Sequence, residues 1–142
     1  MMLQYDAYRE TAINTSDNVR IVSLLFDGAI NFMLSARKKM EQNDIAGRGL
    51  FLGKATAIVS ELLKSLNMEE GGEIAKNLQQ LYDFILDRLL TANLKNDIKS
   101  LDEAERVLEN IRAGWKEMER GRVAAQSASA RASMNEGMAV RV

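Results

Sequence analysis

The chain has 142 residues, 46% hydrophobic and 27% charged, and 19 basic against 20 acidic residues give a formal net charge of -1. That length suits one domain, and the even charge balance argues against a nucleic-acid binder, which carries a basic excess. The absence of Cys excludes disulfide and thiol chemistry, and the absence of His removes the commonest general base and metal ligand.

Pro is absent too, which predicts a helical chain with few loops. The first residues, Met1 to Glu10, carry Asp6 and Glu10 and no apolar core of a secretory signal. No stretch approaches the ~18 consecutive apolar residues of a membrane span. Cytoplasmic residence without membrane insertion is therefore expected. Tyr5, Tyr8 and Ile13 fall in the short piece before the first helix. Residues 1–15 read either as a solvated leader or as a strap over an apolar groove, and two Tyr rings favour the strap.

The first helix is expected to start after Thr15-Ser16, with a hydroxyl cap and Asp17 on the positive end of the helix dipole. Val19, Val22, Phe26, Ala29, Met33, Ala36 and Met40 recur at spacings of three and four, the core stripe of a bundle helix. Gln42-Asn43-Asp44 ends it. A second helix follows an entry containing Gly47 and Gly49, with the stripe Leu52, Ala55, Val59, Leu62 and Leu66. Asn67 to Gly72 breaks it. A third is predicted from Glu73, with core residues Ile74, Leu78, Leu81, Ile85, Leu89 and Ala92. Asn93 to Lys99 reads as a polar connection. Ser100-Leu101-Asp102-Glu103 has the pattern of a capping box for a fourth helix, whose stripe is Leu101, Ala104, Leu108, Ile111, Trp115 and Met118.

Short connections make neighbouring helices antiparallel, so the fold expected is an all-α up-down four-helix bundle over 16–120. From Gly121 the Ala-Ser-Arg composition predicts a disordered tail over 121–142. The tail holds three Arg against one Glu and leaves 16 basic and 19 acidic residues before it.

Several helices carry more apolar residues than one stripe needs. Ile21, Leu25, Gly28 and Phe32 form a second stripe on the first helix, with Leu24 a further misfit. Phe51, Ile58 and Leu63 flank the core face of the second. On the third, Tyr82, Leu86 and Leu90 drift away from the core centre and Phe84 lies on the other flank. A helix touching two neighbours explains part of this surplus; a groove for a partner's amphipathic helix explains the rest. Tyr5, Tyr8, Ile21, Leu25, Phe32, Tyr82, Leu86 and Leu90 are the candidate partner-binding residues.

Nothing in the sequence points to catalysis, a cofactor or a metal. Glu69-Glu70 and Asp102-Glu103 sit near helix starts, where the dipole accounts for them. No Glu-x-x-His pair exists to build a di-metal site. Gly71-Gly72 lacks the Lys-Ser/Thr sequel of a phosphate loop, and Glu73 repels phosphate, so a helix start is the expected role.

The runs Phe26-Asp27-Gly28-Ala29-Ile30, Lys54-Ala55 with Ile58-Val59, and Ser65-Leu66 lead into a longer string. That string is Gly71-Gly72-Glu73-Ile74-Ala75, Asn77-Leu78, Leu81-Tyr82-Asp83-Phe84, Arg88-Leu89, Ala92-Asn93 and Asn96-Asp97. With Ala7-Tyr8 before it and Trp115 after it, the chain resembles the FliS family of flagellin-specific export chaperones over about residues 5 to 118. Two positions depart from the family pattern: Asp17 follows Ser16 where Pro is usual, and Asn67 stands where Asp is usual. Both keep a residue that suits a helix end.

The resemblance implies a four-helix bundle in the cytoplasm that serves flagellar type III secretion. It implies a client, the C-terminal helix-forming segment of flagellin, that is kept from polymerising and delivered to a component of the export gate. The chaperone itself is expected as a monomer or weak homodimer. The contrasting reading is a structural homo-oligomeric scaffold whose surplus stripes bind copies of the same chain.

Overall fold

The structure, a computed structural model, describes residues 16–140, and the side chains from Asn18 to Met134. Four helices follow in order: α1 (Ser16–Glu41), α2 (Ile45–Lys64), α3 (Gly72–Lys95) and α4 (Ile98–Val140). No strand occurs among the described residues, and the all-α class expected from the sequence holds. The chain divides into two units, up to Arg112 and from Ala113.

The first unit is the bundle. α1 packs on α2 and α2 on α3. α4 closes the ring: Arg88 of α3 lies 3.7 Å from Glu103, Arg37 of α1 pairs with Asp102 and with Glu105 at 2.5 Å, and Arg112 meets Asp27 of α1 at 3.0 Å. Connections of two to seven residues leave no room for crossovers, so successive helices run antiparallel.

Local chemistry sets the helix boundaries. Asp44 caps α2 from an extended backbone, its carboxylate accepting from the Gly47 amide at 2.9 Å. The cap starts α2 two residues before Gly47, so both glycines lie inside the helix rather than in its entry. Gly71 and Gly72 serve as a backbone device. A Cβ at Gly71 would stand 2.6 Å from the Asn67 carbonyl oxygen, and Gly72 adopts φ +53°. One has no room for a side chain and the other needs left-handed backbone.

Asn96 ends α3 at φ 51°. Asp97 then accepts from the Lys99 amide at 3.1 Å and the Ser100 hydroxyl at 2.8 Å. The expected capping box at Ser100 is thus displaced: Asp97 is the cap, and Glu103 turns to Arg88. The Ser100 hydroxyl bond, ahead of the two backbone amides, holds the Asp97 carboxyl below its ordinary range.

The core takes Phe26, Ala29, Ile30, Met33, Ala36 and Met40 from α1, and Leu52, Ala55, Val59 and Leu62 from α2. From α3 it takes Ala75, Tyr82, Ile85, Leu89 and Ala92, and from α4 Leu101, Ala104 and Leu108. α1 is long and apolar enough from Asn18 to Glu41 to cross a membrane by length and composition. Its buried face accounts for part of that apolarity, but Ile21, Leu24 and Leu34 on the same helix are exposed.

The α3 face differs from the expected one. Ile74 is 74% exposed and Leu81 is exposed, while Ala75 and Tyr82 are buried. The buried set 75-78-82-85-89-92, in which Leu78 is half-buried, alternates three and four without a break, as a straight seam requires.

In the second unit α4 continues to Val140. The tail expected to be disordered is therefore helical over 121–140, because Ala and Arg are strong helix formers and no Pro interrupts them. The part of that expectation concerning burial holds. From Gly121 to Met134 every described side chain is exposed except the half-buried Arg122. Trp115, expected on the core stripe, is half-buried, and Met118 is exposed.

Candidate apolar grooves on either side of α2

α2 stands between α1 and α3, and both of its outer edges carry apolar residues that the bundle leaves uncovered. On the α1 edge the helices approach closely at Gly28, where a Cβ would stand 3.3 Å from Ile58 Cδ1. Phe32 of α1 stacks on Phe51 of α2, ring centroids 6.2 Å apart and planes 28° apart. Lys54 rests over both rings, its Nζ 5.4 Å from the Phe32 centroid and 5.8 Å from that of Phe51. Leu50 is exposed one turn before Lys54; three turns before Phe32 on the same side of α1 Ile21 is 53% exposed, and Leu24, about 80° round from that side, is 60% exposed. Leu25 is half-buried.

On the α3 edge, Arg88 fixes the direction of α4 through Glu103, and Asn93 approaches Gly49 of α2. At 100° per residue Leu86 and Leu90 lie about 160–200° around α3 from Arg88, which sets them on the side toward α2. Leu86 is half-buried, Leu90 is 57% exposed, and Leu94, one turn further, is 72% exposed. Each step of four residues turns about 40° further from the core, so Leu86 sits at the edge toward α2 and Leu90 and Leu94 point progressively to solvent.

Of the expected partner-binding residues, the structure thus brings Ile21, Leu25 and Phe32 together on one edge of α2, and Leu86 and Leu90 on the other. Tyr82 belongs to neither group. It is 3% exposed, inside the core, and burial pushes its hydroxyl up to about 12. Its place beside the expected Leu78–Leu81–Ile85 stripe made it look peripheral in the sequence; its ring fills a position on the strict three-four seam. Tyr5 and Tyr8 lie outside the described residues.

Leu50, Leu94 and Lys54 were not singled out as binding residues. The signal for Leu94 was present as one further step of the Leu86–Leu90 spacing. Lys54 has no such signal, because its aromatic contacts come from two helices.

The ionisable groups serve the fold. Partial burial works against the charge on Arg37, but hydrogen bonds to Glu105 and Asp102 outweigh it and raise its pKa above the ordinary arginine value. Among the described residues no group of three or more acidic side chains is placed to hold a metal. The geometry offers apolar surface, one aromatic pair and a cation, which is equipment for holding another chain.

The family model described as flagellar protein FliS matches residues 1–122. The chain belongs to the FliS family. It is 42% identical over 110 residues to the flagellar secretion chaperone FliS of Salmonella typhimurium, covering 77% of this chain and 82% of that one. The FliS of Vibrio cholerae is 37% identical over 113 residues, with 77% and 83% covered, and that of Campylobacter jejuni 30% over 124 residues, with 87% and 97% covered. The crystal structure of a bacterial flagellar chaperone matches the fold with a TM-score of 0.70 at 20% identity, over 84% of this chain and 98% of that one. This FliS-family chain is therefore a flagellar secretion chaperone by family, and its four helices agree with the fold of such a chaperone.

Proposed function

We propose that this chain binds the C-terminal, helix-forming segment of newly made flagellin in the cytoplasm, keeps it from polymerising, and delivers it to a component of the export gate. The observation that carries this reading is the pair of uncovered apolar edges flanking α2. An amphipathic segment that would self-associate when free needs its apolar stripe covered, and two apolar edges beside one helix can do that without chemistry. Family membership in the flagellar secretion chaperones supports the choice of client.

Within this reading residues 16–120 form the client-binding bundle and 1–15 act as a strap. Tyr5 and Tyr8 would lie over an apolar edge until the client displaces them. The free chaperone is a monomer or weak homodimer.

Co-expression with flagellin followed by gel filtration tests the reading. A one-to-one complex that protects flagellin from polymerising is expected. A stable homo-oligomer that ignores flagellin would overturn it and would favour a scaffold whose edges bind each other.

A further inference from the structure

Lys54 is exposed and belongs to an apolar neighbourhood. The rings of Phe32 and Phe51 lie beneath its ammonium, and Leu50, one turn before it on α2, is uncovered. Attraction to a ring face holds an ammonium in place but satisfies none of its three N–H donors. No carboxylate among the described residues lies within ion-pairing distance of it. Glu61, two turns further along the same side of α2, is engaged by Lys64 at 3.8 Å.

The other cation resting on a ring differs in this respect. Arg88 lies over Phe84, but Asp87 at 2.6 Å and Glu103 at 3.7 Å neutralise it. Among the described residues Lys54 is thus a positioned cation without an anion. Covering this edge with a purely apolar helix would strip water from an unpaired ammonium, which is costly. A covering helix with one carboxylate at the right place removes that cost and adds a charge-assisted hydrogen bond.

We propose that the helix seated on the α1–α2 edge carries an Asp or Glu beside its apolar stripe, and that Lys54 pairs with it. This rests on the reading of flagellin's C-terminal segment as the client and specifies how that client is recognised. The apolar contacts supply attraction in any register that keeps the stripe inward; the single ion pair selects one register. A client helix shifted by one turn leaves both charges buried without partners, which rejects it.

The test is titration of the full-length protein with a synthetic peptide of the flagellin C-terminal segment from the same bacterium. Three forms are compared: parent, Lys54→Met, which keeps an apolar stem over the rings, and Lys54→Arg, which keeps the charge. Lys54→Met is expected to bind about tenfold more weakly, and Lys54→Arg within about threefold of the parent. Affinity of the parent should fall with added salt more steeply than that of Lys54→Met.

Replacing each Asp and Glu of the peptide in turn by its amide should identify one position that costs the parent about tenfold and costs Lys54→Met nothing further. The melting midpoint of the free protein should change little, since the side chain is exposed and Met keeps an apolar stem over the rings. If the parent binds and Lys54→Met binds equally well with the same salt dependence, the ion pair is absent and the proposal fails. It also fails if every acidic position costs the two proteins alike. A parent that does not bind the peptide at all overturns the flagellin reading itself.

Discussion

Tyr82 shows how burial, rather than residue type, assigns a role. Its hydroxyl is held at about 12 by burial, against about 10 in an unfolded chain. A raised acid pKa leaves stability intact below pH ~10. Between about pH 10 and 12 the unfolded chain releases its proton while the folded one does not, so stability falls as pH rises. Denaturant unfolding across that range should therefore show a steeper alkaline loss for the parent than for Tyr82→Phe, a difference of about 1 kcal/mol near pH 11. Equal slopes would place the hydroxyl in water.

Exposure separates fold from binding at neighbouring positions of α3. Ile85 is fully buried, so Ile85→Ala should cost about 2–5 kcal/mol in chemical denaturation. Leu90→Ala removes a side chain that is mostly in water and should cost well under 1 kcal/mol, while weakening the client complex. At the glycine pair, Gly72→Ala is strained by its left-handed backbone and should destabilise by about 1 kcal/mol. Gly53→Ala has the opposite sign. Nothing lies within 4 Å of the added Cβ, so the gain in helix propensity, about 0.5–1 kcal/mol, should appear as a higher midpoint. The strap is checked in the same way: a Tyr5→Ala, Tyr8→Ala variant should keep its melting midpoint and impair client delivery or motility, and a variant that delivers client and supports motility like the parent removes the strap from the account.

The elements show how far the sequence reaches. The stripes of α1 and α2 were legible because Phe26, Met33, Leu52 and Leu62 are both bulky and correctly spaced, so hydrophobicity and geometry agree. On α3 they disagree. Ile74 and Leu81 are the more apolar choices, but Ala75 and Tyr82 keep the seam straight, and packing follows the seam. The ends were misplaced where a side chain three or more residues outside the expected helix does the capping, as Asp97 and Asp44 do. The grooves were half legible. Surplus Leu and Phe mark an edge, but a wheel drawn for one helix cannot say which helix lies beside it, and so could not separate the Ile21–Phe32 group from the Leu86–Leu90 group.

Lack of bulk in α4 beyond the bundle predicts disorder, yet a helix needs only propensity and an unbroken chain. Its described side chains from Gly121 bury almost nothing. Truncation after Arg120 should therefore leave the cooperative unfolding of the bundle unchanged within error, as followed by circular dichroism. A large drop in midpoint would mean that this segment contributes packing of its own.

At the scale of the whole molecule, α2 is the wall common to both grooves, and ion pairs from α4 to α1 and α3 close the bundle on the far side. The central claim is that a client helix lies along the edges of α2. Calorimetric titration with the flagellin C-terminal peptide, of the parent and of a variant carrying Ile21→Ala, Leu86→Ala and Leu90→Ala, tests it most directly. The account predicts one-to-one binding by the parent, affinity at least about tenfold weaker in the variant, and bundle stability lowered far less than by Ile85→Ala. Undiminished affinity in a variant that still folds would contradict it and place the client on another face.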